Sequence, residues 1–200
     1  MSKERIIAAF AGAGKTSFCN LYPHALDFVI MPFKYKNYTQ IATSGTKSES
    51  IKAHPDLELR PAWRDTYYEA LMNTYHHYPN EVLVIPTDRE ILFRLEEDDI
   101  PYSVVYPNRC LKEEYRARYV ARGNTEAFLD VFIGRWDMWM DLVRDTNGTH
   151  IELQSGEFLS DVLHLSSKNS GIIEDKVNYI AQIGSILEEG ERKAGGKKNE

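Results

Sequence analysis

Short continuous apolar runs alternate along the chain with apolar residues at helical spacing, and that alternation predicts an α/β fold. From Glu4 to Phe10 the run Ile6, Ile7, Ala8, Ala9, Phe10 has the character of a strand buried on both faces of a parallel sheet. A glycine-rich turn follows, then a helix over Thr16 to Tyr22 that Pro23 ends. Leu26 to Met31 reads as a second strand with Asp27 near its start, and residues 34–60 as a polar loop with one short helix. Pro61 opens a helix in which Trp63, Tyr67, Leu71 and Tyr75 repeat on one face. EVLVIPTD, Glu81 to Asp88, is the clearest strand of the middle region. A helix over Arg89 to Glu97 buries Ile91, Leu92 and Leu95, and residues 102–108 form another strand and turn. Strand, helix and strand joined by connections of this length imply parallel pairing through crossovers.

Two helices come next: Leu111 to Arg122, densely basic, and Thr125 to Arg144, with Phe128, Phe132, Trp136, Trp139 and Val143 at steps of three and four. THIELQ is a last short strand, followed by a helix around Glu157 to Leu163. A final helix carries Ile173, Val177, Ile180, Ile183 and Leu187 on one side. The sum is a parallel sheet of about five strands between helices, one domain over residues 1–187, and a flexible tail over residues 188–200, where EEGERKAGGKKNE loses all apolar periodicity.

Composition narrows this picture. No run approaches the ~20 apolar residues that cross a bilayer, and the N-terminus lacks the pattern of a secretory signal, so a cytoplasmic protein is expected. Cys19 and Cys110 form no CxxC pair and read as ordinary thiols. A net charge of −6 disfavours general nucleic-acid binding, which draws on a broad basic face, while a local basic patch stays open. His76 and His77 are adjacent on a helix end, point apart, and make no metal site by themselves.

The chemistry concentrates in AFAGAGKTSF, residues 9–18. Gly12 and Gly14 allow backbone N–H groups to turn inward around an anion. The helix that begins at this point favours negative charge at its free N–H groups. Lys15 can reach the β- and γ-phosphates of a nucleotide, and the Thr16 hydroxyl can meet Mg²⁺. Gly12, Ala13, Gly14, Lys15, Thr16 and Ser17 are therefore the candidate nucleotide-binding residues. Ala9 stands where the usual pattern G-x4-GK[ST] has its first glycine, at a strand end where a methyl group costs little. Asp88, after the apolar run of EVLVIPTD, occupies the place of an acid that holds Mg²⁺ beside Thr16; capping the helix at Arg89 explains it equally well.

Taken with VLVIPTDRE and the basic segment after YPN, AFAGAGKTSF resembles the P-loop nucleoside-monophosphate kinase group, similar in layout to adenylate kinase, and more narrowly the small P-loop kinases of phages and gut bacteria. The resemblance spans residues 4–165 in element order, and the P-loop is its specific part. It implies a three-layer P-loop NTPase fold, ATP and Mg²⁺ as cofactors, a nucleotide acceptor, and a small helical lid whose arginines meet the transferred phosphoryl group. The lid candidate is residues 109–124, with Arg116, Arg118 and Arg122 as catalytic cations beside Lys15 and Asp88. Arginine's fork suits charge spread over phosphoryl oxygens. The alternative is a solvated helix with Glu114 paired to Arg118 at i,i+4. On the acceptor side the candidates are Asp27, Arg60, Arg64 and Arg89, with Trp63, Tyr67 and Tyr35 as stacking faces, although aromatics at helical spacing also serve as core.

These readings predict an ATP-dependent phosphotransferase acting on a nucleoside or deoxynucleoside monophosphate. Two rivals stay open: a kinase acting on a hydroxyl of a nucleoside or nucleic acid, which needs Asp27 or Asp88 as base, and a nucleotide-binding regulatory module with little turnover.

Overall fold

The computed structural model describes residues 4–38, 56–165 and 179. The final helix expected over residues 173–187, the tail over residues 188–200 and most of the polar loop over residues 34–60 lie outside the described residues. The chain divides into two compact units, residues 1–28 with 78–172 and residues 29–77 with 173–200.

The first unit is built on a five-stranded parallel sheet with spatial order β2-β3-β1-β4-β5. Its strands are β1 (Ile6–Ala9), β2 (Ala25–Asp27), β3 (Val82–Pro86), β4 (Tyr102–Pro107) and β5 (Thr149–Leu153). Central β1 pairs with β3 through Ala9↔Pro86 and with β4 through Ala9↔Val105. All four of its residues are buried, as its unbroken apolar run requires. Alternation along β1 sends residues to two different cores. Ile7 and Ala9 join Phe18 and Cys19 of α1 (Lys15–Leu21), together with Leu159. Phe10 turns the other way, its ring edge-on to Trp136 at 5.8 Å and to Phe132 at 5.8 Å. Both faces of the sheet are thus covered by helices.

The second unit is described through α2 (Met31–Lys34) and α3 (Trp63–His77). The second strand is shorter than its apolar run suggested: it ends at Asp27, residues 28–30 are neither strand nor helix, and only Met31 of the run enters α2, whose first turn holds Pro32. Tyr35 and Leu59 form an antiparallel bridge, and Tyr67 packs edge-on against Phe33 at 5.1 Å and Trp63 at 6.5 Å. Trp63, Tyr67 and Leu71 are buried, so this stripe serves as core.

Within the first unit, α4 (Arg89–Glu97) follows β3, and a 3₁₀ turn (Arg109–Leu111) leads from β4 into α5 (Lys112–Ala121). The single long helix expected over Thr125 to Arg144 is two helices, α6 (Glu126–Phe132) and α7 (Trp136–Arg144). Gly134 N–H donates to Leu129 O, and a side chain at Gly134 would begin 2.5 Å from Asp130 O. Glycine, having no Cβ, avoids that contact and lets the chain turn sharply there. The apolar period is shared by both helices and so conceals the break. After β5, the short α8 (Leu159–Val162) returns to the sheet. Among the described residues no helix is long and apolar enough to cross a membrane.

Candidate functional site

The glycine-rich turn leaves the carboxyl end of β1 at the centre of the sheet. Gly12 and Gly14 have φ of +82° and +90°, left-handed values that a side chain disfavours. Ala13 N–H closes the turn on Phe10 O at 3.1 Å, and Phe18 N–H donates to Gly14 O at 2.9 Å. The N–H groups of Lys15, Thr16 and Ser17 consequently precede the helix's own ladder. Ala9, where a glycine was the usual residue, is the last residue of β1 and fully buried in regular pairing, so its methyl group belongs to the core and not to the glycine-rich turn.

Lys15 folds back over the turn. Its Nζ donates to Ala9 O at 2.8 Å and to Phe10 O at 3.2 Å. Burial of the ammonium lowers its pKa to about 8, opposed by the Asp27 carboxylate and assisted by Arg122. Next along the chain, the Thr16 hydroxyl donates to Asp27 Oδ2 at 2.7 Å. The other oxygen of Asp27, Oδ1, is buried and has no hydrogen-bond partner among the described residues, which is costly for a carboxylate. The β2 terminus therefore delivers an acid to the hydroxyl of the GKT sequence.

Gly12, Gly14, Lys15, Thr16, Ser17, Arg122, Phe158 and Ser160 line a cavity of 410 Å³. Two neighbouring segments hold its shape. From α5, fully buried Tyr119 donates its hydroxyl to Ala11 O at 2.8 Å, and its ring lies where a side chain on Gly12 would begin, at 2.8 Å. At the start of α8, Leu159 N–H donates to Ala13 O at 2.8 Å, and from the β5–α8 turn the Phe158 ring packs 3.3 Å from the corresponding position on Gly14. Burial pushes the Tyr115 phenol up to about 12 and Tyr119 higher still, so both stay neutral and act as packing and hydrogen-bonding groups.

The predicted site residues separate into those at this cavity and those used elsewhere. Of the arginines in residues 109–124, Arg122 lines the cavity. Arg118 is engaged by the scaffold: it donates to Glu114 Oε1 at 2.5 Å and, from both terminal nitrogens, to Glu157 O at 3.2 Å. Arg116 is exposed and pairs with Glu113 at 3.7 Å. Asp88 Oδ1 accepts from Glu90 N–H at 3.2 Å and Ile91 N–H at 3.4 Å, the capping role, while Asp27 meets Thr16. Arg89 lines a different cavity, between α4 and α7, with Leu92 and Met138. In the second unit, Arg60 is buried and donates to Pro32 O at 3.4 Å, and Arg64 stacks on Trp63 at 4.4 Å.

Tyr119, Phe158 and Ser160 were missed by sequence reasoning. Tyr115 and Tyr119 stand at i and i+4 in a helix read for its charges, and that spacing was the available signal. Phe158 and Ser160 lie over a hundred positions from Gly14 in the sequence and carried none.

No family model matches the chain, and a comparison with curated proteins found no match. Among solved structures, the tunicamycin resistance protein of Deinococcus radiodurans is similar to it, with a TM-score of 0.44 and 16% sequence identity, covering 92% of this chain and 96% of that one.

Proposed function

We propose that this chain is an Mg-ATP-dependent phosphotransferase whose acceptor is a nucleoside or deoxynucleoside monophosphate. The observation that carries the reading is the convergence of Lys15, Thr16 and Asp27 at one turn, with the Asp27 Oδ1 atom buried and unpartnered. A hydroxyl and a carboxylate are hard oxygen donors that suit Mg²⁺. Thr16 and Asp27 would hold the ion directly or through water, Asp27 in the place first assigned to Asp88. Magnesium held there by Thr16 and Asp27 would supply positive charge against the nucleotide's phosphates.

Lys15 would exchange the carbonyls of Ala9 and Phe10 for phosphate oxygens, and the N–H groups of residues 14–17 would meet the same anion. Arg122, the cation from the α5 end that lines the cavity, would stabilise charge on the transferring group. An acceptor that is already a phosphate anion requires no general base. A hydroxyl acceptor is the second reading, favoured by Asp27 Oδ1 itself, an unpartnered carboxylate oxygen that could take the hydroxyl proton.

ADP release from Mg-ATP, measured against ribo- and deoxyribonucleoside monophosphates and against nucleosides and 5′-hydroxyl oligonucleotides, tests both readings. A monophosphate-dependent rate that disappears in Lys15→Ala is expected. If Asp27 serves the metal, excess Mg²⁺ partly restores Asp27→Asn; if it is a base, no Mg²⁺ concentration does. Tight nucleotide binding without release under any acceptor would leave a regulatory module, and failure to bind either ATP or GTP would sink the proposal.

A further inference from the structure

We infer that Glu114 is a positioning residue for the phosphate-binding turn, acting through Arg118 and Phe158; the inference rests on the nucleotide reading above. Glu114 sits on α5, and its carboxylate gathers three donors. Oε1 accepts from Arg118 at 2.5 Å and from Gly156 N–H at 3.0 Å, while Oε2 accepts from the Ser155 hydroxyl at 2.8 Å. These bonds, that of Gly156 foremost, hold the carboxyl below the usual carboxylate range, so it is ionised throughout the neutral range.

Two of the donors belong to the β5–α8 turn, and the third belongs to α5 itself, so Glu114 fastens that turn to the helix. Arg118 extends the clasp. Its guanidinium donates to Glu157 O and lies over the Phe158 ring at 4.2 Å, a cation–π contact made by a charge already fixed by Glu114. The opposite end of the relay is Phe158 against Gly14, with Leu159 N–H on Ala13 O beside it. Gly14 has φ of +90°, and the ring packs where a side chain would otherwise be. The shape of the turn thus depends on the position of Phe158, and that position depends on Glu114 and Arg118. Neither Glu114 nor Arg118 lines the cavity, so both act through Phe158 and not on a phosphate.

The test is calorimetric titration of the full chain with Mg-ATP, with melting temperature measured on the same samples. Wild-type protein, Glu114→Ala, Glu114→Gln, Ser155→Ala, Phe158→Leu and the double variant Glu114→Gln/Phe158→Leu are compared. Glu114→Ala should weaken binding at least tenfold and Glu114→Gln about threefold, because Gln retains an oxygen for Gly156 N–H. Ser155→Ala should fall between Glu114→Gln and wild type. The double variant should bind no worse than the weaker single one, since both changes interrupt one relay. If Glu114→Ala does not fold, the order of the milder variants and the double variant decides. Binding within twofold of wild type in folded Glu114→Gln and Ser155→Ala, or additive losses in the double variant, would overturn the inference while leaving the nucleotide reading intact. A wild-type chain that binds no Mg-ATP overturns both.

Discussion

Nucleotide binding should weaken steeply as pH rises from 7.5 to 9.5, because Lys15 enters the reaction with a pKa of about 8. In the ligand-free fold its ammonium is stripped of water and held by two carbonyls, Ala9 O and Phe10 O. Polyphosphate against the same nitrogen favours the charged form and returns the pKa toward or above its ordinary value of 10.5. At pH 7.5 roughly three quarters of the free sites carry the charge; at pH 9.5 about 3% do. The linkage relation then gives roughly a twentyfold rise in Kd across this window, or about 2 kcal/mol. Mg-ATP is fully ionised over the whole range, so the ligand adds no proton of its own.

Titration calorimetry in two buffers of different ionisation enthalpy checks this directly: about half a proton should be taken up on binding near pH 8. Lys15→Gln should bind weakly with a flat profile. A flat wild-type profile, or a slope that survives in Lys15→Gln, would refute the assignment. Stability carries a definite sign as well. The folded pKa lies below the unfolded one, so between pH 8 and 10.5 the unfolded chain holds more protons, and Lys15's contribution to stability increases with pH over that interval.

Gly12→Ala should abolish tight Mg-ATP binding while leaving a folded chain. The new Cβ meets Tyr119 Cε1 at 2.8 Å and the backbone sits at φ of +82°, a conformation that costs an L-residue about 1–2 kcal/mol; circular dichroism with calorimetry separates the two effects. Tyr119→Phe keeps the ring and removes the bond to Ala11 O. It should cost about 1 kcal/mol, or about 2–4 °C in melting temperature, with a severalfold rise in the Kd for Mg-ATP; no change in either would mean that the hydroxyl does not brace the turn.

The sheet was legible because parallel strands buried on both faces must be apolar throughout. Runs such as Val82 to Ile85 identify themselves, and their connections leave little choice but crossovers. The turn at Gly12 to Ser17 was legible for a similar reason: left-handed backbone demands glycine, and the order of Lys15 and Thr16 is set by local geometry. Partners across the sheet were not. Asp27 and Asp88 both follow apolar strands and both precede turns, so no local pattern distinguishes the acid that meets Thr16 from the acid that caps a helix. Spatial register distinguishes them: Asp88 is committed to N–H groups two and three residues ahead in its own helix, and Asp27 is free of such a commitment.

The same distinction separates the charges of the basic segment. Sequence counts charges, and residues 109–122 hold many; structure assigns each charge by what lies opposite. Arg118 faces Glu114 and a carbonyl, and only Arg122, at the carboxyl-terminal cap of α5, lines the turn's cavity. The uncharged members of that helix take the structural role, with Tyr115 and Tyr119 fully buried and Tyr119 bonded to the turn. A glycine turn is conformationally permissive by itself, and permissiveness is the opposite of what anion binding requires. Packing Tyr119 on Gly12 and Phe158 on Gly14 removes that freedom from two sides. The glycines make the observed shape of the turn accessible, and the aromatic residues, supplied from α5 and from the β5–α8 turn, make it the one that is kept.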